Sequence, residues 1–213
     1  MSAAVLGGRF IRLEPLERRH EADICAAVCN DDGFARVGYM VEPPPVDPLA
    51  RAAWFARKVT WSGRVYFACV DPASGCALGL LAFMRDEPQH RTVEIGDVLF
   101  GTGLSRTRAA TEVVFLLLRH AFETMIYRRV EWKCDTRNAG SYRAAERFGF
   151  IFEGVFRQHM IIRGESRDSA WFSMLDREWA ARKRAFELWL SPDNSDASGA
   201  QLRSLAEIRN LMP

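Results

Sequence analysis

Long apolar runs are missing from this 213-residue chain: no window reaches eighteen consecutive apolar residues, the length a bilayer-spanning helix needs. The N-terminus lacks the apolar core of a secretory signal. Cysteine pairing is missing too. The five cysteines, at 25, 29, 69, 76 and 134, are odd in number and never spaced C-x-x-C, so they read as reduced core thiols rather than a disulfide framework or a zinc site. His20, His90, His120 and His159 have no metal-like spacing, and no metal is expected. Excess charge of one sign is absent. Twenty-nine Lys and Arg against 27 Asp and Glu leave +2, too little to argue for a nucleic-acid or membrane partner. No G-K-[ST] phosphate loop, no G-x-G-x-x-G and no internal repeat occur. What remains is the composition of an ordinary globular protein, 48 % apolar and 26 % charged. It is read as cytoplasmic, with one domain over 1–190 and a polar tail over 191–213, where the last thirteen residues add at most a loose helical turn.

The patterning predicts a strand over 9–16, a helix over 17–30 and a proline-rich loop over 38–47. A second helix over 48–61 opens on a proline. Strands follow at 64–71, 76–85 and 91–100, the first two joined by the turn DPASG. Residues 106–125 form the longest helix, apolar around most of its circumference and so buried against a sheet. A strand at 128–134 leads to a helix that Asn138 can cap and Gly149 can stop. A hairpin, 150–162 with 166–175, and a helix over 176–190 complete the order. The implied fold is α/β or α+β, an antiparallel first half followed by one strand–helix–strand crossover.

Two units carry the candidate chemistry. The first is VEIG, then GTGLSRT, then RAATEVVF, residues 93–115. Helix starts favour acidic residues, because the first turn presents unpaired N–H groups and a partial positive charge. This one is basic and rich in small residues, and looks arranged for a phosphate or diphosphate that the chain does not supply. Arg106 and Arg108 are placed to add charge-assisted bonds. A solvated basic turn ahead of a core helix is the plainer alternative. The second unit is NAGSYRAAERFGFIFEG, 138–154.

Together with RLEPL near the start and RDSAWFSML near the end, the two units resemble the GNAT superfamily of acyl-CoA-dependent N-acetyltransferases. The likeness runs over about 9–175 and is strongest to the branch that acetylates ribosomal-protein N-termini. The resemblance implies a mixed central sheet of about seven strands, flanked by helices and splayed between its fourth and fifth strands. Acetyl-CoA lies in that gap, with its diphosphate on Leu104, Arg106, Thr107, Arg108, Ala109, Ala110 and Thr111. Gly96 would mark the kink that opens the gap. Backbone amides from Ile95 through Asp97, Val98 and Leu99 would polarise the thioester carbonyl. Asn138 would face the pantetheine arm, and Ser141 the thiol. Two positions depart from the family pattern: the usual glycine of the diphosphate loop is Arg108, and the usual tyrosine acid is Ala145.

Loss of that acid is tolerable, because a thiol of pKa near 8.5 leaves as thiolate at a cost on the order of 2 kcal/mol at neutral pH. The nucleophile is harder. Freeing a lysine amine at pH 7 costs about 4.6 kcal/mol, an α-amine roughly 1.4. A site so lightly equipped therefore suits an α-amine. Glu94 is the candidate base, directly or through water. The partners are then acetyl-CoA and an amine, with direct attack and no acyl-enzyme on Cys134, and the chain acts as a monomer or homodimer. The alternative is a non-catalytic module on the same scaffold that holds CoA or another ligand.

Overall fold

The structure is a computed structural model that describes residues 4–30, 37–197 and 199–211. One eight-stranded sheet organises it, in the order β1-β2-β3-β4-β5-β6-β8-β7. The strands are β1 (Leu6–Gly7), β2 (Arg12–Pro15), β3 (Arg64–Val70), β4 (Ala77–Glu87), β5 (Thr92–Phe100), β6 (Arg129–Asp135), β7 (Ile151–Ile162) and β8 (Glu165–Leu175). Every neighbouring pair is antiparallel except β5 with β6, which the crossover helix joins. The helices are α1 (Glu21–Val28), α2 (Pro48–Thr60), α3 (Arg108–Arg119), α4 (Ala139–Phe148), α5 (Asp176–Leu190) and α6 (Leu205–Asn210). The expected mixed, helix-flanked sheet is present.

Helix ends follow the local chemistry. Asp47 accepts from the Leu49 amide at 3.0 Å ahead of Pro48, Asn138 accepts from the Ser141 amide at 3.0 Å, and Gly149 closes α4 at φ +92°. The long helix is α only to Arg119 and continues as one π turn over His120–Thr124. Residues 17–30 begin as a 3₁₀ turn over Arg18–His20, and the positions beyond Asn30 lie outside the described residues.

The first strand is shorter than its pattern. Residues 9–11 do not pair, because the buried Glu112 carboxylate of α3 takes their amides: Arg9 N at 2.8 Å on Oε1, Phe10 N at 2.6 Å and Ile11 N at 3.0 Å on Oε2. The ladder therefore starts at Arg12.

The two faces of the sheet are covered unequally. On one face α3 packs on Phe67, Leu81, Phe83, Val93, Ile95 and Val130, in a core that continues through α5 to Phe186 and Trp189. On the other, α1 and α2 bury Ile24, Val28, Trp54 and Phe55 against Tyr66, Leu80, Ala82 and Leu99. That second cover stops at β5. On β6, Val130, Trp132 and Cys134 face the large core, which leaves Glu131, Lys133 and Asp135 on the side that no helix among the described residues covers. The C-terminal segment is not loose. Leu205 and Ile208 of α6 are buried in the large core, and Arg209 donates to the carbonyls of Glu146 and Arg147.

Candidate active site

β5 and β6 pair only at Thr92–Arg129, Val93–Val130 and Glu94–Glu131, although both strands run on to Phe100 and Asp135. Beyond Glu94 the two strands fork. In an antiparallel pair half of the N–H groups of β5 bond to β4, and the rest point the other way. Past Glu94 those groups face the fork, where β6 no longer meets them. A bulge sets the divergence: the β4–β5 register shifts between Leu80–Leu99 and Ala82–Gly96, and Asp97 takes φ +49°. The bulge residue is thus Asp97, not Gly96. A Cβ on Gly96 would meet Met84 Sδ at 2.4 Å, so that glycine serves close packing against β4. The bulge also flips the strand's phase, so Ile95 packs on the α3 side and Leu99 on the α1 side.

Charge holds Asp97 in its left-handed conformation. Its carboxylate accepts from the Arg64 guanidinium and the Tyr66 hydroxyl, and Lys58 Nζ stands 3.6 Å away. Lys58 is fully buried; burial pulls its ammonium below the ordinary lysine value, against the charges of Asp97 and Glu42.

Glu94 lies at the crotch of the fork, 5 % exposed. Its Oε2 meets Lys133 Nζ at 2.9 Å and Arg85 Nε at 3.2 Å. Lys133 also meets Glu131 Oε2 at 2.7 Å and sits 3.7 Å above the Trp171 ring. Burial raises the Glu131 carboxyl, but the bonds and charges of Lys133 and Arg129 outweigh it and leave it below its usual value. Asp135 is likewise raised by burial and lowered further by Arg137. Carboxyls depressed in the folded state add stability that is complete above their unfolded pKa and lost as pH falls through the folded one. Urea midpoints are therefore expected to drop from pH 5.5 to pH 3.5, most steeply below about 4.5, the unfolded value for Glu131. A Glu131→Gln, Asp135→Asn double variant should show a flatter decline; equal slopes would refute the assignment.

The start of α3 faces the mouth of the fork. Of the residues expected to cradle a diphosphate, Leu104 is fully buried and its amide bonds to the Gly101 carbonyl. The Thr107 amide reaches the Leu104 carbonyl at 3.3 Å. Thr107 Oγ1 caps the Ala110 amide at 3.2 Å, and Thr111 Oγ1 accepts from Arg147 at 3.0 Å. Among the described residues that leaves the amides of Arg106, Arg108 and Ala109 without a protein acceptor, a narrower cradle than the sequence suggests. No acidic residue stands in the first turn. The Arg108 side chain is turned away and held by Ser195 Oγ and the Gly199 carbonyl.

The family model described as "Acetyltransferase (GNAT) domain" matches residues 11–151, well over half of the chain. The chain belongs to the GNAT acetyltransferases. A GCN5-related N-acetyltransferase from Brucella melitensis has a crystal structure 42 % identical in sequence, with a TM-score of 0.96 over 99 % of this chain and 96 % of that one. A GNAT-family structure from Chromobacterium violaceum ATCC 12472 is 41 % identical, with a TM-score of 0.78 over 84 % of this chain and 90 % of that one. YdaF of Bacillus subtilis (strain 168), which carries the provisional name of a ribosomal N-acetyltransferase, is 34 % identical over 113 residues. That match takes in 51 % of this chain and 59 % of the relative, so the chain spans less than two thirds of that relative's length.

For a GNAT protein the second unit is equally telling. Ser141 Oγ accepts from Trp132 Nε1 at 2.9 Å, and its hydroxyl also hydrogen-bonds to the Cys134 thiol. Its neighbour Cys134 has its thiol pushed up by burial, against the Ser141 hydrogen bond and the Arg167 charge, so it stays a thiol. Ala145 is fully buried and has no proton to give, and the Tyr142 ring packs edge-on against Phe172 at 4.8 Å. Asn138 spends its Oδ1 on the α4 cap. Sequence reasoning passed over Lys133 and Arg85, and gave Arg167 of the last strand only a pairing role. A signal for Lys133 existed: the alternation EWKCD puts charge on one face of a mid-sheet strand, which marks a face that no helix among the described residues covers.

No helix among the described residues is long and apolar enough to cross a membrane, and no group of three metal-ligating side chains is gathered in them.

Proposed function

We propose that this GNAT protein transfers the acetyl group of acetyl-CoA to an α-amine, a protein N-terminus or a small molecule, by direct attack. The observation that carries the reading is the fork, three paired residues followed by divergence, with an acid-free helix start at its mouth. The thioester would lie along β5, its carbonyl oxygen on the inward amides beyond Glu94. The amine approaches from the face that α1 and α2 leave open. Its nitrogen bonds to the carbonyl carbon, the carbon–sulfur bond breaks, and Ser141 donates to the departing thiolate. The ammonium proton leaves to solvent or through a water on Glu94, whose Oε2 is already shared by two cations. The relative YdaF carries a ribosomal name, which favours a protein N-terminus.

The test is CoA release with matched peptides that offer either a free α-amine or, with the terminus acetylated, a single lysine ε-amine. The α-amine set is expected to be at least about tenfold better at pH 7, from the difference in deprotonation cost. Tight calorimetric binding of acetyl-CoA with no release across the panel would overturn catalysis and leave a CoA-holding module.

A further inference from the structure

Two hollows mark the β5–β6 region. The larger, about 470 Å³, is at the closed end, between Arg91, Arg128, Arg129 and Arg177. The smaller, about 320 Å³, is at the open end, on the face α1 and α2 leave bare. Asp135 ends β6 there, and Gly38 with Tyr39 forms one wall; Arg137, Arg163 and Arg167 also line the space. Asp135 is two residues beyond Lys133, roughly 7 Å along the strand, so the hollow adjoins the expected point of transfer.

The charges in this hollow do not close. Arg137 is satisfied by Asp135 at 2.9 Å and Glu165 at 3.3 Å. Arg163 donates to the Gly38 carbonyl and, among the described residues, has no carboxylate partner. Arg167 is 9 % exposed, and among the described residues nothing accepts from its buried Nε. Arg167 lines the hollow from β8, just past the Ser169–Asp135 pair that ends β6, and its charge lowers the Asp135 carboxyl. Trp171 Nε1, on the same face of β8, is a second buried donor with no acceptor among the described residues. A buried guanidinium donor left unmatched is costly unless a ligand meets it.

We propose that this hollow receives a carboxylate of the acceptor, so that the preferred amine carries an acid group within a few bonds. The inference rests on the transferase reading. Two sources share that chemistry: the α-carboxylate of a free amino acid and an acidic side chain at a peptide N-terminus.

The full-length protein is assayed with acetyl-CoA on matched pairs. These are free glutamate against glutamate α-amide, and C-terminally amidated peptides beginning Glu against Gln. In at least one pair the acid is expected to win by about tenfold in kcat/KM, as for a charged hydrogen bond. The pair that shows it names the source. Arg167→Gln should cut that ratio at least fivefold, Arg167→Lys should restore part of it, and Arg163→Gln, at an exposed position, guards against misfolding as the cause. In parallel, calorimetry with N-acetylglutamate against N-acetylglutamine α-amide, which has no carboxylate, reads the hollow without turnover. Binding of the acid that Arg167→Gln abolishes supports the site even where no acetyl transfer occurs, and in that case the transferase reading alone fails. Turnover with ratios near one, a ratio that Arg167→Gln leaves intact, or no acid-selective binding or preference in any arm overturns the proposal.

Discussion

Replacing Glu112 with glutamine is expected to lower stability by about 3 kcal/mol, and the melting midpoint by roughly 6–12 °C. One carboxylate accepts three backbone amides from a segment a hundred residues away. An amide has only one oxygen. Whichever way glutamine turns, at least one N–H of Arg9–Ile11 faces an NH₂ donor in a site only 5 % exposed. Gly8 shows how close the fit is, since a Cβ there would lie 2.5 Å from Glu112 Cδ and 2.8 Å from the Ile11 carbonyl. Gly8→Ala should therefore reproduce most of the loss by displacing the carboxylate while leaving its chemistry unchanged. Chemical denaturation of both variants measures it. A loss below about 1 kcal/mol in Glu112→Gln would mean that solvent satisfies those amides. The consequence reaches the site, because the same clamp ties the chain's first strand to the helix whose start faces the fork.

That clamp also shows what a linear reading can and cannot see. Helix ends are local, so Pro48, Asn138 and Gly149 were legible from their neighbours. The fork was legible only through the motifs that resemble a family with that gap; the Gly–Ser–Thr loop alone suited a solvated turn as well. The unpaired stretch 9–11 was not, since its partner lies on another element. Nor was the bulge at Asp97. Glycine is the residue sequence reasoning expects at positive φ, but here Arg64, Tyr66 and Lys58 hold an aspartate there. The packing of 191–211 was hidden by composition. Two apolar side chains, Leu205 and Ile208, anchor a segment that is otherwise polar. Arg108, which replaces the family's glycine, was legible only as a departure; its tie to Ser195 and Gly199 explains how the helix start stays open.

Ala109→Asp is expected to separate folding from cofactor binding by moving them in opposite directions. Ala109 is the second residue of α3, half-buried, and its amide is among those left free. Carboxylates in a first helical turn interact favourably with its N–H groups and dipole, by about 0.3–1 kcal/mol. The variant should therefore melt at or slightly above the wild-type temperature. A diphosphate on the same amides would meet that carboxylate at close range. At an effective dielectric near 20, two unit charges about 5 Å apart repel by roughly 3 kcal/mol. The acetyl-CoA Kd should rise about 100-fold or more. Ala109→Asn has almost the same shape without the charge, and should lose less than about tenfold. Calorimetry with acetyl-CoA and thermal melts of the three proteins supply both readouts. A Kd within threefold of wild type for Ala109→Asp, in a protein that still melts cooperatively, would place the diphosphate elsewhere. A helix that begins without any acid would then be left with no ligand to explain it.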